Sequence, residues 1–488
     1  MADKSSKRTQ YFAAIAAAVG AMAFGTGVAW TAPTGPKLIK NREYGFEITD
    51  EKFSWVGAAM TLGAGSVCIL TGYLINIIGR KTTMLLLVIP FTVGWTLIMF
   101  AQNITMLIIG RTLLGVSSGG ICVVAPMYTG EIAEKDIRGM LCSFFQLLIT
   151  IGILFVYVVG AFVSAFQLSV ICASIPLIFG VLVLFCPESP TYLMQRKRPN
   201  DASRALIWLR GGRYDPSIEL TEMQMAIQKQ KETSKSVAAS MMRSSSVKAL
   251  SISFGLFIVQ QLCGINVVIF YTTDLFESAN TNFSADFSTA LVGIVQVIAT
   301  FLSVVIVDRL GRRILLLTSE FVVIICTFSM GYYFYAKESG NVDHLSWLPV
   351  SSLCLFIIAF SLGLGPVPWV MLGELFAPDI KGLAGSISAT SNWTLAFIVT
   401  KTFNNLRETI GVSGTFWLFT AISLLGIVFI YFAVPETKGK SLSSIQQMLN
   451  NKRENCHDET SRFVEPLVKN GLEMTGLRNS NKVEHSLG

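Results

Sequence analysis

The sequence predicts an all-α membrane protein of twelve spanning helices in two six-helix bundles, and three observations predict it. Of 488 residues, 52% are hydrophobic and only 14% charged, with a mean hydropathy of +0.57; a soluble domain of this length needs a polar surface that such a composition does not supply. A spanning helix needs about 20 mostly apolar residues, and twelve segments qualify, at roughly 11–32, 54–78, 82–101, 105–127, 140–163, 167–186, 249–273, 287–307, 314–336, 347–372, 384–400 and 414–434. One long polar stretch, about 187–246, divides them six and six.

The first segment follows a polar, basic N-terminus, MADKSSKRTQ, and shows no convincing small-residue cleavage site; it reads as a retained span rather than a cleaved signal. Lys and Arg then set the orientation. Counted from an N-terminus on the cytoplasmic side, the inner segments hold Lys4, Lys7, Arg8, Arg80, Lys81, Lys135, Arg138, Arg309, Arg312, Arg313 and Lys381, besides the basic central stretch. The outer 274–286 loop carries Asp274, Glu277 and Asp286 with no cation, and the outer 33–53 loop balances its four cations with four acids. Both termini are expected in the cytoplasm, and the formal charge of +7 is topology rather than a nucleic-acid footprint. In the central stretch, Asn200-Asp201 reads as the cap of a helix ending at Gly211-Gly212, and a second helix is expected over about 217–235. These are small cytoplasmic helices, giving halves 1–186 and 247–435, a linker 187–246 and a polar tail 436–488 expected to be largely disordered.

The two halves repeat one another. GEIAEKDIRG, from Gly130, is answered by GELFAPDIKG, from Gly373; Gly79-Arg80-Lys81 by Gly311-Arg312-Arg313; Pro187-Glu188-Ser189 by Pro435-Glu436-Thr437. The landmarks follow spans 2, 4 and 6 of each half, at offsets of about 230–250 residues. With an even number of spans in each half, the repeats are parallel, the arrangement in which two bundles rock about a central site.

The motifs Gly79-Arg80-Lys81, PMYTGEIAEKDIRG from Pro126, PESP from Pro187, QQLCGIN from Gln260, VDRLGRR from Val307, GPVPW from Gly365 and PETKG from Pro435 resemble, in order, those of the sugar porter family of the major facilitator superfamily. The resemblance covers about residues 11–445. SNWTLAFIVTKTF from Ser391 and FSLGLGPVPW from Phe360 look closest to facilitative glucose transporters of the intracellular type and to the insect facilitated trehalose transporters. The resemblance implies a major facilitator fold and facilitative transport of a neutral sugar, a hexose or the disaccharide trehalose, without a cofactor and with the monomer as the working unit. A proton–sugar symporter and a non-transporting sugar sensor are the alternatives.

By that resemblance Gln146, Gln260, Gln261 and Asn266 are hydroxyl-binding amides and Trp369 is a stacking ring, with Gln296 where the family carries Asn. The residue types suit the task on their own terms. Each sugar hydroxyl both donates and accepts, and an amide does both without a charge, which near the midplane would cost about 2.5–3.5 kcal/mol. The bland alternative is that buried amides glue helices together for about 0.6 kcal/mol each. On a straight helix Gln261 and Asn266 point roughly 140° apart, so a shared sugar requires span 7 to break near Gly264. A second hinge is expected where span 10 carries Gly365, Pro366 and Pro368, since Pro removes a backbone donor. Two of the family's polar positions are occupied here by Ser361 and Ala396, which leaves room for a larger or differently hydroxylated cargo.

Arg80, Glu131, Arg138 and Glu188 in one half, and Arg312, Glu374, Lys381 and Glu436 in the other, form a charge lattice that the resemblance assigns to gating. Positive-inside charge explains the cations but not the matched acids. Arg111 is a charge inside span 4; the resemblance matches its proton-coupling acid to Gly27, which argues for uniport. Glu320, inside span 9, is expected to point toward the cytoplasmic end and find a cation. Asn282 heads an outer-loop glycosylation sequon. Eight of the nine cysteines lie in apolar segments without metal or disulfide spacing, and no nucleophile–base set suggests an enzyme. A multi-pass protein of the plasma membrane is the expectation.

Overall fold

The computed structural model describes residues 6–134, 136–233, 241–279, 283–340, 343–376, 380–440 and 442–449. Eleven helical runs are long and apolar enough to cross a bilayer. Span 1 is Arg8–Ala29, continued by Thr31–Ile39; spans 2 to 6 are Asp50–Ile78, Arg80–Met99, Ile104–Ile132, Arg138–Phe162 and Ala165–Leu184. Span 7 is Ser244–Leu262 plus Ile265–Ala279, spans 8 and 9 are Ala285–Leu310 and Arg312–Glu338, and span 10 is Leu348–Leu362 plus Pro366–Leu375. The last run, Lys381–Ala433, holds two spans. A straight helix of 53 residues would be about 80 Å long at 1.5 Å per residue, far beyond the ~30 Å hydrocarbon layer. The chain turns at Gly411, whose φ of 75° and ψ of 170° are not helical. The twelve segments expected from hydropathy are all present.

Small residues set the packing inside each half. A Cβ on Gly25 of span 1 would lie 2.1 Å from the Ile149 carbonyl oxygen of span 5, and one on Gly152 of span 5 would lie 2.5 Å from that of Met22. Gly63, Gly115 and Gly119 bring spans 2 and 4 equally close. Lipid offers no hydrophobic drive between helices, so such backbone approach is what binds them.

Between the halves lie Pro190–Gln195, Pro199–Arg210 and Ser217–Thr233. The second ends at Gly211 (φ 106°), as its sequence suggests, but Asn200-Asp201 is not its cap. Pro199 takes the first helical turn, and Asp201 sits inside it, bonded to Arg198 and Arg204. A proline pre-set for the helix starts it earlier than the polar pair would. Arg210 anchors this helix to the first half, donating to Ile132 O at 2.7 Å and pairing with Glu219 at 2.8 Å. A short helix, Leu442–Leu449, returns to span 10 through Gln446, which donates to Leu375 O at 2.6 Å.

The two ends of the molecule differ. At the end away from Arg80 and Arg312 the halves close on each other. Tyr157 Oη donates to Ile269 O (2.8 Å), Thr31 Oγ1 to Phe270 O (3.2 Å) and Asn404 Nδ2 to Asp50 O (3.0 Å). Lys401 Nζ donates to Ser54 Oγ at 3.1 Å and sits 4.9 Å from the Trp55 ring centre, and Lys40 pairs with Glu277. At the end that carries the charge lattice, a Cβ on Gly130, Gly139, Gly382 or Gly385 would meet open space, and Met127, Arg138 and Met140 are exposed. The space between the halves therefore opens toward the lattice face.

Candidate functional site: an amide cluster at two broken helices

Span 7 stops at Leu262 and restarts at Ile265, with Gly264 at φ +93°, so the interruption anticipated near Gly264 is present. That conformation favours a residue without Cβ, and the site leaves no room for one: a Cβ would lie 2.8 Å from the Phe419 ring. The break turns Asn266 back onto Gln261. Asn266 Nδ2 donates to Gln261 Oε1, and Gln261 Nε2 donates to Asn392 Oδ1 of span 11 at 2.5 Å. Three uncharged amides thus form one chain across spans 7 and 11. Asn392 is not among the residues that the sequence singles out. The cost of an amide inside an apolar span was the signal available.

Span 10 breaks between Leu362 and Pro366, at Gly363 and Gly365. Gln260 serves this break. Its Nε2 donates to Leu364 O at 2.7 Å and Gly365 O at 3.0 Å, while its Oε1 is buried without a protein partner. It is therefore a staple between spans 7 and 10 that keeps one free acceptor. Ser319 of span 9 supports the same break, donating to Ala359 O and accepting from Leu364 N–H. Trp369, beyond the break, remains 37% exposed and stands edge-on to Phe257 at 5.0 Å.

The other amides lie on faces that look across the halves. Gln146 is exposed on span 5, eleven residues before Tyr157 and so on the same helix face, the face whose Tyr157 reaches Ile269 of span 7. Gln296 is buried on span 8, one turn from Gly293, which packs on Leu154 and Tyr157. Trp393, next to Asn392 on span 11, stands edge-on to Phe24 of span 1 at 5.6 Å, its Nε1 buried without a protein partner. Ser361 and Ala396 are both buried.

Arg111 is fully buried, and its guanidinium donates to Val56 O (3.1 Å) and to Gly27 O and lies 5.7 Å from the Trp30 ring. The residue facing it is thus Gly27, and backbone carbonyls take the place of an acid. Glu320 corrects its expectation. It is buried at 0% exposure with neither carboxylate oxygen bonded, because it faces spans 7 and 12 rather than the cationic end of its own helix.

The charge lattice is duplicated bond for bond. Arg80 N–H donates to Glu188 Oε1 at 2.9 Å and Arg312 N–H to Glu436 Oε1 at 3.0 Å; the next residues, Lys81 and Arg313, donate to the second oxygens at 3.1 and 3.0 Å. The Arg80 side chain pairs with Glu131 at 2.8 Å and that of Arg312 with Glu374 at 3.0 Å. Ser189 donates to Glu131 and Thr437 to Glu374. The Glu188 and Glu436 carboxylates sit on the N-termini of spans 3 and 9, where exposed N–H groups and the helix dipole favour an anion. Burial raises the Glu436 carboxyl, but the N–H groups of Lys438, Arg312, Arg313 and Thr437 hold it below the usual glutamate range. Arg138 is exposed and donates to Ala133 O. Lys381 opens span 11 with its side chain outside the described residues, as is Asn282 altogether.

Two broken helices, an uncharged amide chain and a duplicated lattice in two six-span halves are the frame of a known architecture. The family model described as "Sugar (and other) transporter" matches residues 13–449. The chain belongs to that family. Among relatives, the facilitated trehalose transporter Tret1 of Polypedilum vanderplanki is 40% identical over 443 residues, 90% of this chain and 88% of the relative. That of Culex quinquefasciatus is 38% identical, covering 90% and 86%. Tret1 of Aedes aegypti is 39% identical, and there the chain spans only 55% of the relative's length. The fold matches the partially occluded inward-open structure of the xylose transporter XylE from E. coli, with TM-score 0.75 at 24% identity, over 88% of this chain and 99% of that one. The bromo-deoxyglucose complex of the proton:xylose symporter XylE gives 0.73 over 90% and 99%. The protein is thus a multi-pass membrane transporter of the major facilitator fold.

Proposed function

We propose that this transporter is a facilitative uniporter of a neutral sugar, with trehalose its first cargo and hexoses such as glucose a second, working by alternating access. The observation that carries the reading is the Asn266–Gln261–Asn392 chain at the Gly264 break, with the free oxygen of the adjacent residue Gln260. Uncharged donors and acceptors of this kind match hydroxyls. Gln146, Gln296 and Trp369 complete the site from spans 5, 8 and 10. The similarity to trehalose transporters, and Ser361 and Ala396 in place of larger polar groups, favour a disaccharide.

The halves 1–186 and 247–435 rock about this site, with 187–246 as the connecting linker. The positive-inside rule puts the lattice face, both termini and the tail 436–488 in the cytoplasm, so the structure is the inward-open state. The plasma membrane is the site of action, the monomer the working unit, and Asn282 an outer glycosylation site. Backbone carbonyls on Arg111 in place of an acid support uniport.

Uptake of labelled trehalose, glucose and fructose into proteoliposomes tests the reading. Trehalose is expected to enter down its own gradient at the same rate with and without an imposed pH gradient. No saturable uptake of any of the three sugars sinks the reading, and uptake that requires the proton gradient replaces uniport with symport.

A further inference from the structure

The basic stretch ahead of span 1 has no part in the sugar site, yet it is fastened to the linker. An α-helix leaves its last four carbonyls without partners inside the helix. In the linker helix Pro199–Arg210 the Gly211 N–H takes Ile207 O at 2.9 Å, and residues from ahead of span 1 take the two carbonyls at the very end. Thr9 Oγ1 donates to Leu209 O at 3.0 Å and the Ser6 N–H to Arg210 O at 2.6 Å. Ser6 packs on Gly211, its Cβ 3.4 Å from where a Cβ on that glycine would stand. Phe12 faces Trp208 at 6.3 Å between ring centres, and Gln10 exchanges two bonds with Glu134, at 3.0 and 3.1 Å. Glu134 in turn pairs with Arg210 at 3.4 Å, which Glu219 shares at 2.8 Å. Residues 6–12 are thus a strap that caps the linker helix from outside it.

Ser6 is where the strap is open to an enzyme. It is exposed, as are Lys7 and Arg8, and Lys4 precedes them in the sequence. The cap uses the main-chain N–H of Ser6 and leaves its hydroxyl out, whereas Thr9 is half-buried and spends its hydroxyl on the cap. A serine set among cations suits a kinase whose substrate groove is acidic. The ground beneath the strap is of the opposite kind. It holds the end of a helix, where the dipole disfavours an anion, and the carboxylates of Glu134 and Glu219, which already engage Arg210.

We propose that Ser6 is a phosphorylation site and that its phosphate releases the strap from the linker helix. The γ-phosphoryl group of ATP passes to Ser6 Oγ, ADP leaves, and the hydroxyl proton goes to the base of the kinase. The product carries a charge of about −1.5 to −2 at neutral pH, and beside acids at a helix C-terminus such a charge repels. The inference rests on the cytoplasmic placement of the lattice face proposed above, but not on which sugar moves.

Purified full-length protein treated with magnesium ATP and protein kinase C tests both steps. Mass spectrometry is expected to find phosphate on Ser6. In hydrogen exchange the amides of residues 6–12 and 199–211 should then exchange roughly 3- to 10-fold faster than in untreated protein. Ser6→Ala should match the untreated wild type, with or without the kinase. Ser6→Glu, which adds a charge, and Thr9→Val, which removes a cap bond, should each speed the same amides with no kinase present. Phosphate missing from Ser6, exchange unchanged or slowed by it, or wild-type exchange in Ser6→Glu overturns the proposal. No sugar enters the measurement, so its failure is distinct from a failure of the transport reading.

Discussion

Gln261 shows how much one side chain carries. It accepts from Asn266 and donates to Asn392, so Gln261→Ala removes two bonds, each worth about 0.5–1.5 kcal/mol. Initial sugar uptake is expected to fall roughly 10- to 100-fold, while the detergent-solubilised variant still elutes as a single folded species in size-exclusion chromatography. Wild-type uptake by such a folded variant removes Gln261 from the site. Its type and place were legible in the sequence, because an amide in an apolar run has to be explained. Gln260 was legible as an amide and not as a staple, since its partners are carbonyls of Leu364 and Gly365, about a hundred residues away along the chain. Glu320 was misread for the same reason. Helix position placed it near Arg313, but which face it turns inward depends on what spans 7 and 12 leave open.

Among the elements, the breaks were the most legible. Gly264 is required twice, by its φ of +93° and by the Phe419 ring on its missing Cβ. Gly264→Ala is expected to cost about 1–2 kcal/mol for the backbone alone and to reduce uptake at least severalfold. Adding Phe419→Leu relieves the clash but not the dihedral, so it should restore part of the rate; full recovery, measured by the same uptake assay, refutes the backbone argument. The lattice makes a second prediction at this scale. Because Glu188 and Glu436 cap spans 3 and 9 with matched bonds, Glu188→Gln and Glu436→Gln should each lower the melting temperature, by similar amounts. Clearly unequal shifts in a thermal melt contradict the duplication. The Glu436 carboxyl is held below the usual range, so its contribution is present above the ordinary glutamate pKa and lost as pH falls through the lowered value. The sequence revealed the repeat, but the direct bond from carboxylate to helix N-terminus needed the fold, because Glu188 follows Arg80 only after four further spans.

At the scale of the whole molecule, closure at one end and opening at the other is the state seen, and Lys401 is a clasp on the closed end. Lys401→Met removes a cation over an indole ring worth about 0.5–1 kcal/mol at an exposed site, which should shift the balance up to about fivefold toward opening at that end. The check is the labelling rate, by an impermeant maleimide, of a cysteine placed at Tyr157 or Thr31 with and without Lys401→Met; an unchanged rate dismisses the clasp. The amino-acid sequence by itself determined the spans, their grouping in six and six, the repeat and the positions of both hinges, because hydropathy, glycine, proline and short motifs act locally and are printed in order along the chain. Only the tertiary structure decided that Asn392 joins Gln261, that the carbonyls of Val56 and Gly27 engage Arg111, that among the described residues no cation bonds Glu320, and which end is open. Those depend on the rotation of each helix about its own axis and on how the two halves lean, and both are settled by contacts between residues a hundred or more positions apart.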